Sequence, residues 1–354
     1  MHSYEYIFTA IIVFAILIAS TTLVSIMPQT ALNISDVEQL KMTAQKIMTQ
    51  LILNSGNPPE WGSNITIGLN NLTAFGLAEY REVARAAYIL DPDKVQRLSS
   101  NYVPSSLYIP PNKVIELFNL GRDYGLKLEF IPALNVSVNA QQISNRIVVS
   151  VNVVSEQSTP IVNANVTARA FYLQNGQINK TSLILNYTDI DGSCNIEFNN
   201  MSSDVVLITL LVDYHGIRII KTHILGSFSK SYFIGSNLII NSSLNVANNI
   251  AYQVIAFKSG ENYIIDYVSC NLTSSPSPLS NYNVYSMTYV EPYAIALLAV
   301  TDEGNLTIAC KNVPPSYSSI SEEVYPPLAY TIERPVTIGQ SIYILRLHIW
   351  RMSW

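Results

Sequence analysis

The chain has 354 residues, of which 49% are hydrophobic and 13% are charged, and its formal net charge is −5. The charged fraction is about half of the ~25% that globular proteins usually carry, so Asn, Ser, Thr and the 22 Tyr residues must supply much of the surface polarity. A weakly negative chain without any block of Lys or Arg excludes nucleic acid as an expected partner.

The N-terminal region contains an uncharged apolar run at residues 7–27. A helix of this length rises about 30 Å, which matches the hydrocarbon core of a bilayer. We therefore expect a single transmembrane helix at 7–27 behind a cytoplasmic tail at 1–6. A secretory signal that is cleaved near Ser25 or Ala31 is the alternative, although the start lacks Lys and Arg and the run exceeds the usual 7–15 residues.

The orientation of the anchor has to be inferred from the body, because the first cationic side chain is Lys41 and neither flank is basic. Eleven Asn-x-Ser/Thr acceptors are spread over the body, and such sites belong on exported surfaces. The candidate glycosylation sites are Asn33, Asn64, Asn71, Asn135, Asn165, Asn179, Asn186, Asn200, Asn241, Asn271 and Asn305. We expect a single-pass cell-membrane protein with an extracytoplasmic body.

An amphipathic helix is predicted at 35–54. Ser35 with Glu38 three residues later is a capping-box pattern, and Gly56 after Asn54 is a stop signal. The predicted apolar stripe consists of Val37, Leu40, Ala44, Ile47, Met48, Leu51 and Ile52. This stripe implies packing on the body or on a second copy of the chain.

A small α/β module next to the membrane is predicted at 60–126. Three segments in it, 79–90, 92–98 and 112–120, have the composition of short helices. Asp91 followed by Pro92 gives the second of them an N-cap and a proline at its first position.

Residues 127–228 change to a period of two, which predicts strands. The predicted strands are 127–133, 146–155, 164–173, 181–188, 194–198, 205–213 and 217–224, and turn signals such as His215-Gly216 separate many of them. The segments 160–167 (PIVNANVT) and 187–192 (YTDIDG) resemble repeated surface Ig-like modules. The resemblance and the strand count imply an Ig-like or transthyretin-like β-sandwich.

A second β-rich domain is predicted at 230–354. Residues 251–257 and 263–269 flank one hairpin turn, 294–300 and 306–309 flank another, and 341–350 form a terminal strand. The predicted fold class is therefore mainly β with an N-terminal transmembrane helix, a small α/β membrane-proximal module, an Ig-like β-sandwich and this second β-rich domain.

Three cysteines leave an odd count, and Cys270 and Cys310 both end strand-like runs. Adjacent strands would allow a Cys270–Cys310 disulfide in an exported compartment, with Cys194 as a buried apolar residue. The absence of a C-x-x-C pair argues against thiol-redox chemistry or a structural zinc site.

Two patterns with metal-binding chemistry have simpler explanations. His215 and His223 with Asp213 would suit a metal only if the hairpin brought them together, and turn and strand positions explain them better. Residues 189–192 (DIDG) begin like a calcium loop but lack its later ligands, so a β-turn is expected. No nucleophile–base pattern, phosphate loop or His-Glu-x-x-His is present. We expect no enzymatic activity, catalytic residue, metal or cofactor.

The N-terminus, with its short tail, uncharged helix and following amphipathic helix, resembles the start of archaeal type IV pilin-like proteins. Residues 51–63 (LILNSGNPPEWGS) and 88–98 (YILDPDKVQRL) are similar to uncharacterised archaeal membrane-anchored surface proteins. Two features depart from the pilin pattern: no basic residue precedes a processing site, and Pro28 interrupts the helix.

The resemblance implies a structural or interaction protein of the cell surface, specifically a minor pilin-like subunit, which self-assembles or binds protein partners. The alternative is a surface glycan- or solute-binding receptor. A receptor needs a pocket with convergent Tyr, Asn or acidic groups, whereas an assembly subunit needs a flat apolar patch or an open sheet edge.

Overall fold

The computed structural model describes residues 16, 18, 37–80, 88–121, 124–201, 203–226, 230–259, 262–270, 275–291, 293–319 and 329–351. The predicted cytoplasmic tail and transmembrane helix lie outside these residues, apart from Ile16 and Ile18, which are helical. Within the described ranges, no helix has the length and apolarity needed to span a membrane.

The described part of the chain is mainly β, with few helices. The helical elements are α1 (residues 37–53), a 3-10 turn (Leu69–Asn71), α2 (Pro92–Gln96) and α3 (Pro111–Leu117). The strands are β1 (Ile89–Leu90), β2 (Tyr124–Pro132), β3 (Asn135–Ile143), β4 (Arg146–Val154), β5 (Asn165–Gln174), β6 (Gln177–Lys180), β7 (Ile184–Tyr187), β8 (Ser193–Asn199), β9 (Val206–Tyr214), β10 (Ile217–Leu225), β11 (Ser231–Ile234), β12 (Asn237–Asn241), β13 (Val246–Ser259), β14 (Asn262–Cys270), β15 (Ser277–Leu279), β16 (Tyr282–Ser286), β17 (Ala294–Thr301), β18 (Leu306–Cys310), β19 (Ser316–Ser318), β20 (Ala329–Ile338) and β21 (Ser341–Arg351).

Helix α1 has the predicted stripe, because six of its seven apolar positions are buried; Val37 is 38% exposed. The helix ends before Asn54, whose Oδ1 accepts a hydrogen bond from the Gly56 amide at 2.9 Å. Gly56 has a φ of 80°, a conformation that glycine adopts without strain. The helix packs on the body, in one core with β2, β20 and β21.

The terminal sheet has the strand order β1-β20-β21-β2-β19 and combines the two ends of the described chain. Strand β1 runs parallel to β20, and the other pairs are antiparallel. Its β1 lies where the sequence predicted the end of a helix at 79–90; residues 81–87 of that segment are outside the described ranges. The helices predicted at 92–98 and 112–120 are present in shorter form as α2 and α3.

A two-layer sandwich follows. Strands β3-β4-β8 form one layer, and the central sheet β10-β9-β5-β6, with β7 also paired to β5, forms the other. Alternating side chains from both layers make one apolar core, which includes Val149, Ile196, Val166 and Ile208. Most predicted strands of this region are present; β3 and β6 were not predicted, because both are rich in Asn and Gln and bury little apolar surface.

The central sheet is covered on both faces. Its second face packs against the outer sheet, β14-β13-β17-β18, through Phe171, Leu207, Ile265 and Leu298. Residues 206–212 of β9 are accordingly all buried, as expected for a strand between two layers. A fifth sheet, β11-β12-β16-β15, packs on the outer sheet and on Val103 and Leu107.

The predicted boundaries at 126/127 and 229/230 do not follow the sheets. Strand β2 pairs with β21 and not with the sandwich, and the last two strands leave the C-terminal hairpins to join the terminal sheet. Sequence periodicity cannot show such pairings, because β2 and β21 are separated by more than 200 residues and each alternates like any other strand.

Candidate ligand cleft at the junction of the sheets

A cleft lies where the α2 region, the central sheet, the outer sheet and the terminal sheet meet. It consists of two adjoining hollows of about 200 and 310 Å³, which share Tyr102, Thr222 and Asn312. Ligand sites in proteins typically measure about 300–1,000 Å³ and prefer such junctions. We call the two hollows together the junction cleft.

One wall of the junction cleft is β10, the edge strand of the central sheet. Strands β9 and β10 are joined by the two-residue turn His215-Gly216, with φ of 50° and 86°. Positive φ at both positions defines a type I′ turn, which closes on a hydrogen-bonded pair, here Tyr214 and Ile217. Because bonding alternates along an antiparallel pair, the backbone groups of Ile220, Thr222 and Ile224 point away from β9.

The cleft side of β10 is capped at one end only. The Ile220 amide donates to Ser341 Oγ of β21 at 2.9 Å. Among the described residues, nothing bonds to the outward backbone groups of Thr222 and Ile224. The junction cleft thus contains an unpaired stretch of sheet edge.

The opposite wall is held by helix α2. Asp93 Oδ2 pairs with Lys311 Nζ at 3.0 Å, and both side chains are less than 10% exposed. Gln96 accepts a hydrogen bond from the Asn312 amide at 3.2 Å and donates to the carbonyl oxygens of Tyr102 and Phe233. These contacts hold Lys311 and Asn312 against α2 at the cleft.

Positive charge dominates the junction cleft. Lys221, Lys230 and Lys311 line it, and only Lys311 has an ion-pair partner among the described residues. His223 also lines the cleft, and burial and the nearby Lys221 lower its pKa. In a chain of net charge −5, this local excess of cations favours an anionic ligand.

The remaining lining is aromatic and uncharged. Tyr102, Tyr293 and Tyr343 contribute rings, and burial raises the pKa of Tyr343 to about 12, so its hydroxyl stays protonated. Burial also raises the pKa of the Cys310 thiol to about 11, partly offset by a hydrogen bond with Thr222. The cleft therefore offers binding groups but no activated nucleophile at Cys310.

The hairpin does not bring together the residues His215, His223 and Asp213, for which a metal site was considered and turn and strand positions were preferred. His223 lies eight residues along β10 from the turn residue His215, which is roughly 27 Å of strand. Asp213 Oδ1 accepts from the Gly216 amide at 3.1 Å and so belongs to the turn. Within the described ranges, no three His, Cys, Asp or Glu side chains could hold a metal ion.

The loop at 189–192 is a turn, as expected. Asp189 Oδ1 accepts from the amides of Asp191 at 3.0 Å and Ser193 at 2.8 Å, and Gly192 has a φ of 74°. These bonds occupy one carboxylate oxygen that a calcium loop would turn toward the ion.

The predicted Cys270–Cys310 disulfide is not formed. Cys310 is a free thiol, and β14 and β18 are the two opposite edges of the outer sheet, with β13 and β17 between them. Three strand spacings amount to roughly 14 Å, well beyond the Cα separation that a disulfide tolerates. The sequence predicted the two hairpins but could not predict that their inner strands, β13 and β17, would pair and so place the two cysteine-bearing strands at opposite edges. Cys194 is buried, as expected.

Nine of the eleven candidate glycosylation sites lie in described residues, and none of these nine is buried. Asn71, Asn135, Asn200, Asn241 and Asn305 are exposed, and Asn64, Asn165, Asn179 and Asn186 are partly exposed. Asn33 and Asn271 fall outside the described ranges. The positions suit the extracytoplasmic reading, and occupancy stays a prediction.

The outer face of the terminal sheet carries a polar network that the sequence analysis missed. His348 Nδ1 lies 2.8 Å from Thr331 Oγ1, and its Nε2 lies 3.2 Å from Glu129 Oε2. Glu129 also pairs with Lys127 at 2.7 Å and Arg346 at 3.4 Å. Cross-strand register places these side chains together, and the alternating charges in 127–129 and 346–348 were the available signal. The network lies outside the junction cleft.

Comparisons with known proteins identify no family. No protein-family model and no curated protein sequence matches the chain. Among solved structures, 58% of the chain aligns with 18% of trypsin-activated α2-macroglobulin from Escherichia coli, at 10% identity and a TM-score of 0.23. Likewise, 59% aligns with 34% of red sea bream transglutaminase, at 12% identity and a TM-score of 0.21. The chain spans about a fifth and a third of these proteins, and the similarity extends no further than a mainly β architecture.

Proposed function

We propose that this chain is a membrane-anchored extracytoplasmic interaction protein of the cell surface, and that the junction cleft is its partner site. The observation that carries the proposal is the unpaired edge of β10 along the cleft. Exposed backbone donors and acceptors at a sheet edge recruit another chain unless the protein blocks them. The proposed activity is binding, without catalysis, cofactor or nucleic acid.

The proposed location at the cell surface rests on two features of the sequence, the apolar run at the N-terminus and the glycosylation acceptors in the body. The apolar run at 7–27 is long enough to anchor the chain, and the described sequons all have accessible Asn residues. We infer further that the sandwich between β3 and β10 is Ig-like or transthyretin-like. The specific version of the function, a minor pilin-like subunit, rests on the resemblance of the N-terminus.

An exposed apolar group on the sandwich also supports assembly. Leu185 and Tyr187 of the short strand β7 are 39% and 51% exposed, and the nearby Val162 and Ile190 are 47% and 80% exposed. The Asn163 amide bonds to the Thr188 carbonyl, which brings Val162 next to β7. A surface subunit could bury such side chains against a neighbour.

A surface receptor for a glycan or another solute is the second candidate. Tyr102, Tyr293, Tyr343 and Asn312 converge on the junction cleft. Aromatic rings and amide groups are the side chains that sugars use most readily for stacking and hydrogen bonding. The two candidates share the cleft and differ in the ligand.

Labelling on intact cells tests the placement. Glu303→Cys puts a thiol in the exposed turn between β17 and β18, and Ser3→Cys puts one in the predicted tail. We expect a membrane-impermeant maleimide to label Glu303→Cys on intact cells and Ser3→Cys only after permeabilisation, with the unsubstituted chain as background. Labelling of Glu303→Cys only after permeabilisation would contradict an extracytoplasmic body.

A further inference from the structure

We propose that the junction cleft binds an extended, acidic peptide segment of a partner protein, which adds as a strand to the free edge of β10. The inference rests on the proposed interaction function and specifies its ligand. Strand addition takes affinity from main-chain hydrogen bonds and specificity from pockets for alternate side chains.

The backbone of β10 supplies the first requirement. Its odd-numbered residues bond to β9, so the outward groups recur at Ile220, Thr222 and Ile224, two residues apart. Ser341 occupies the Ile220 amide, which leaves the N–H and C=O of Thr222 and Ile224 for a ligand. Alternating donors and acceptors on one line match an extended peptide, whereas a sugar has no such repeat.

The space beside the edge supplies the second requirement. The smaller hollow adjoins residues 220–222 and the larger one adjoins residues 222–224, so room is present along the whole free stretch. Ile220 and Ile224 point their side chains toward the outer sheet, and Tyr102 and Tyr293 line the hollows from other elements. A short strand would therefore meet pockets as well as hydrogen-bonding groups.

Charge selects an acidic segment. Lys221 and Lys230 are exposed and form no ion pair with the described residues, whereas Lys311 is nearly buried and its charge is balanced by Asp93. The carboxylate of Asp93 is engaged by Lys311. Acidic side chains at alternate positions of the added strand would point to the same face as Lys221 and meet that cation, while the overall charge of −5 disfavours acidic peptides elsewhere on the protein.

The direct test uses the full chain in detergent and a fluorescent seven-residue peptide in which valine and glutamate alternate, capped at both ends. Two further peptides carry N-methyl groups, one on all valines and the other on all glutamates. In a strand, the amides of one set face β10 and those of the other set face away. We expect the two methylated peptides to differ at least tenfold in Kd, because only one set of methyl groups removes bonds to the protein.

Protein variants locate the site. Thr222→Pro removes the outward amide and no bond to β9, and we expect about tenfold weaker peptide binding. Lys221→Glu should weaken binding by about threefold to tenfold, while the matched charge reversal Lys46→Glu, on the exposed side of α1, should leave it unchanged. The methylated peptides keep the test decisive if Thr222→Pro fails to fold.

Equal loss or equal retention of binding by the two methylated peptides would overturn strand addition. So would binding of neutral oligosaccharides in the same assay without binding of the peptide, which would favour the receptor candidate. A peptide in which lysine replaces glutamate should bind at least tenfold more weakly, and equal binding would overturn the acidic preference. None of these outcomes bears on surface labelling of Glu303→Cys, so a wrong ligand and a wrong placement are distinguishable.

Discussion

The sandwich core and the region around α2 are stabilised by opposite means. In the sandwich, alternating Val, Ile, Leu and Ala side chains from two layers fill one apolar core. Around α2, the buried groups are Asp93, Lys94, Gln96 and Arg97, all of them at most 5% exposed. Regular strands satisfy their own backbone groups, whereas the irregular segments beside α2 need side-chain donors to do so.

The contacts of α2 show what those donors do. Lys94 Nζ donates to the carbonyl oxygens of Ser55 at 2.9 Å and Ala78 at 2.8 Å. Arg97 donates to the carbonyl oxygens of Leu107 at 2.8 Å and Ile67 at 2.6 Å and also to that of Trp61, whose ring its guanidinium covers. Near α2, buried charged side chains therefore make the hydrogen bonds to backbone carbonyl groups that regular secondary structure makes elsewhere in the protein.

The largest expected effect is at Arg97. Arg97→Met keeps the apolar contacts with Trp61 but leaves three buried carbonyl oxygens without a donor. We expect the free energy of unfolding to fall by about 3–5 kcal/mol. Urea unfolding of the full chain in detergent measures this change, and a loss below about 1 kcal/mol would show that water replaces the guanidinium.

The second largest effect is expected in the pH dependence of the free energy of unfolding, to which the buried charged groups around α2 contribute. Burial lowers the pKa of Lys94 to about 8, partly offset by Asp91, so between pH 8 and the unfolded pKa of about 10.4 the unfolded chain binds more protons. The contribution of Lys94 to stability should therefore rise with pH in this window, by an amount on the order of 2 kcal/mol. The raised pKa values of Cys194 and Cys310, both about 11, act in the opposite direction there, so the contribution of Lys94 is read as a difference between two proteins. The free energy of unfolding of the unsubstituted chain minus that of Lys94→Met should increase from pH 8 to pH 10, and a difference that stays constant would mean that Lys94 has no lowered pKa.

Asp91 has the opposite dependence in another window. Burial, and then repulsion from Asp93, raises the pKa of Asp91 to about 6. The folded chain therefore binds more protons between about pH 4 and pH 6, and this group lowers stability as the pH rises through that window. The sandwich core consists of apolar side chains and Cys194, whose pKa of about 11 lies far above this window, so the core contributes no dependence between pH 4 and pH 6.

A small apolar truncation in the sandwich should have a moderate effect. Ile196 of β8 is 1% exposed in the sandwich core, and Ile196→Val removes one methylene. We expect a loss of about 1 kcal/mol, independent of pH. A loss as large as that of Arg97→Met would mean that a single methylene in the apolar sandwich core contributes as much to stability as the buried hydrogen-bonding groups around α2.

The smallest effect is expected at the surface. Arg346 of the terminal sheet pairs with Glu156, beside the sandwich, at 3.1 Å, but the two side chains are 26% and 43% exposed. Glu156→Gln should cost no more than about 0.5 kcal/mol, because solvent screens the pair and Glu129 and Glu333 still hold Arg346. Urea unfolding of the unsubstituted chain and of Glu156→Gln at low and high salt measures this difference in free energy, which should vanish at high salt.

The same contrast explains what the sequence could predict. Alternation predicted the sandwich strands and the later hairpins, and the Asp91-Pro92 pair predicted the start of α2, where Asp91 Oδ1 accepts from the Asp93 amide. The burial of Lys94 and Arg97 was missed, because a short charged helix looks like a solvent-exposed one. Their partners are carbonyl groups up to 39 residues away, which leave no pattern in the chain.

The junction cleft was missed for a related reason. Residues 217–224 were predicted as a strand, but its apolar composition is that of a covered strand and gives no sign that one edge is open. The cleft forms only because β21 returns to cap Ile220 and α2 fixes Lys311, and both are long-range contacts. An open sheet edge was one of the two features expected of an assembly subunit, and its location on β10 is evident only from the structure.

Amide hydrogen exchange along β10 tests the central claim most directly. In the full chain alone, the amides of Thr222 and Ile224 should exchange at least tenfold faster than those of Lys221 and His223, which bond to β9. The alternating valine–glutamate peptide should then slow Thr222 and Ile224 selectively. Equal protection of all four amides in the free protein would mean that the edge is already paired, and the proposed partner site would be wrong.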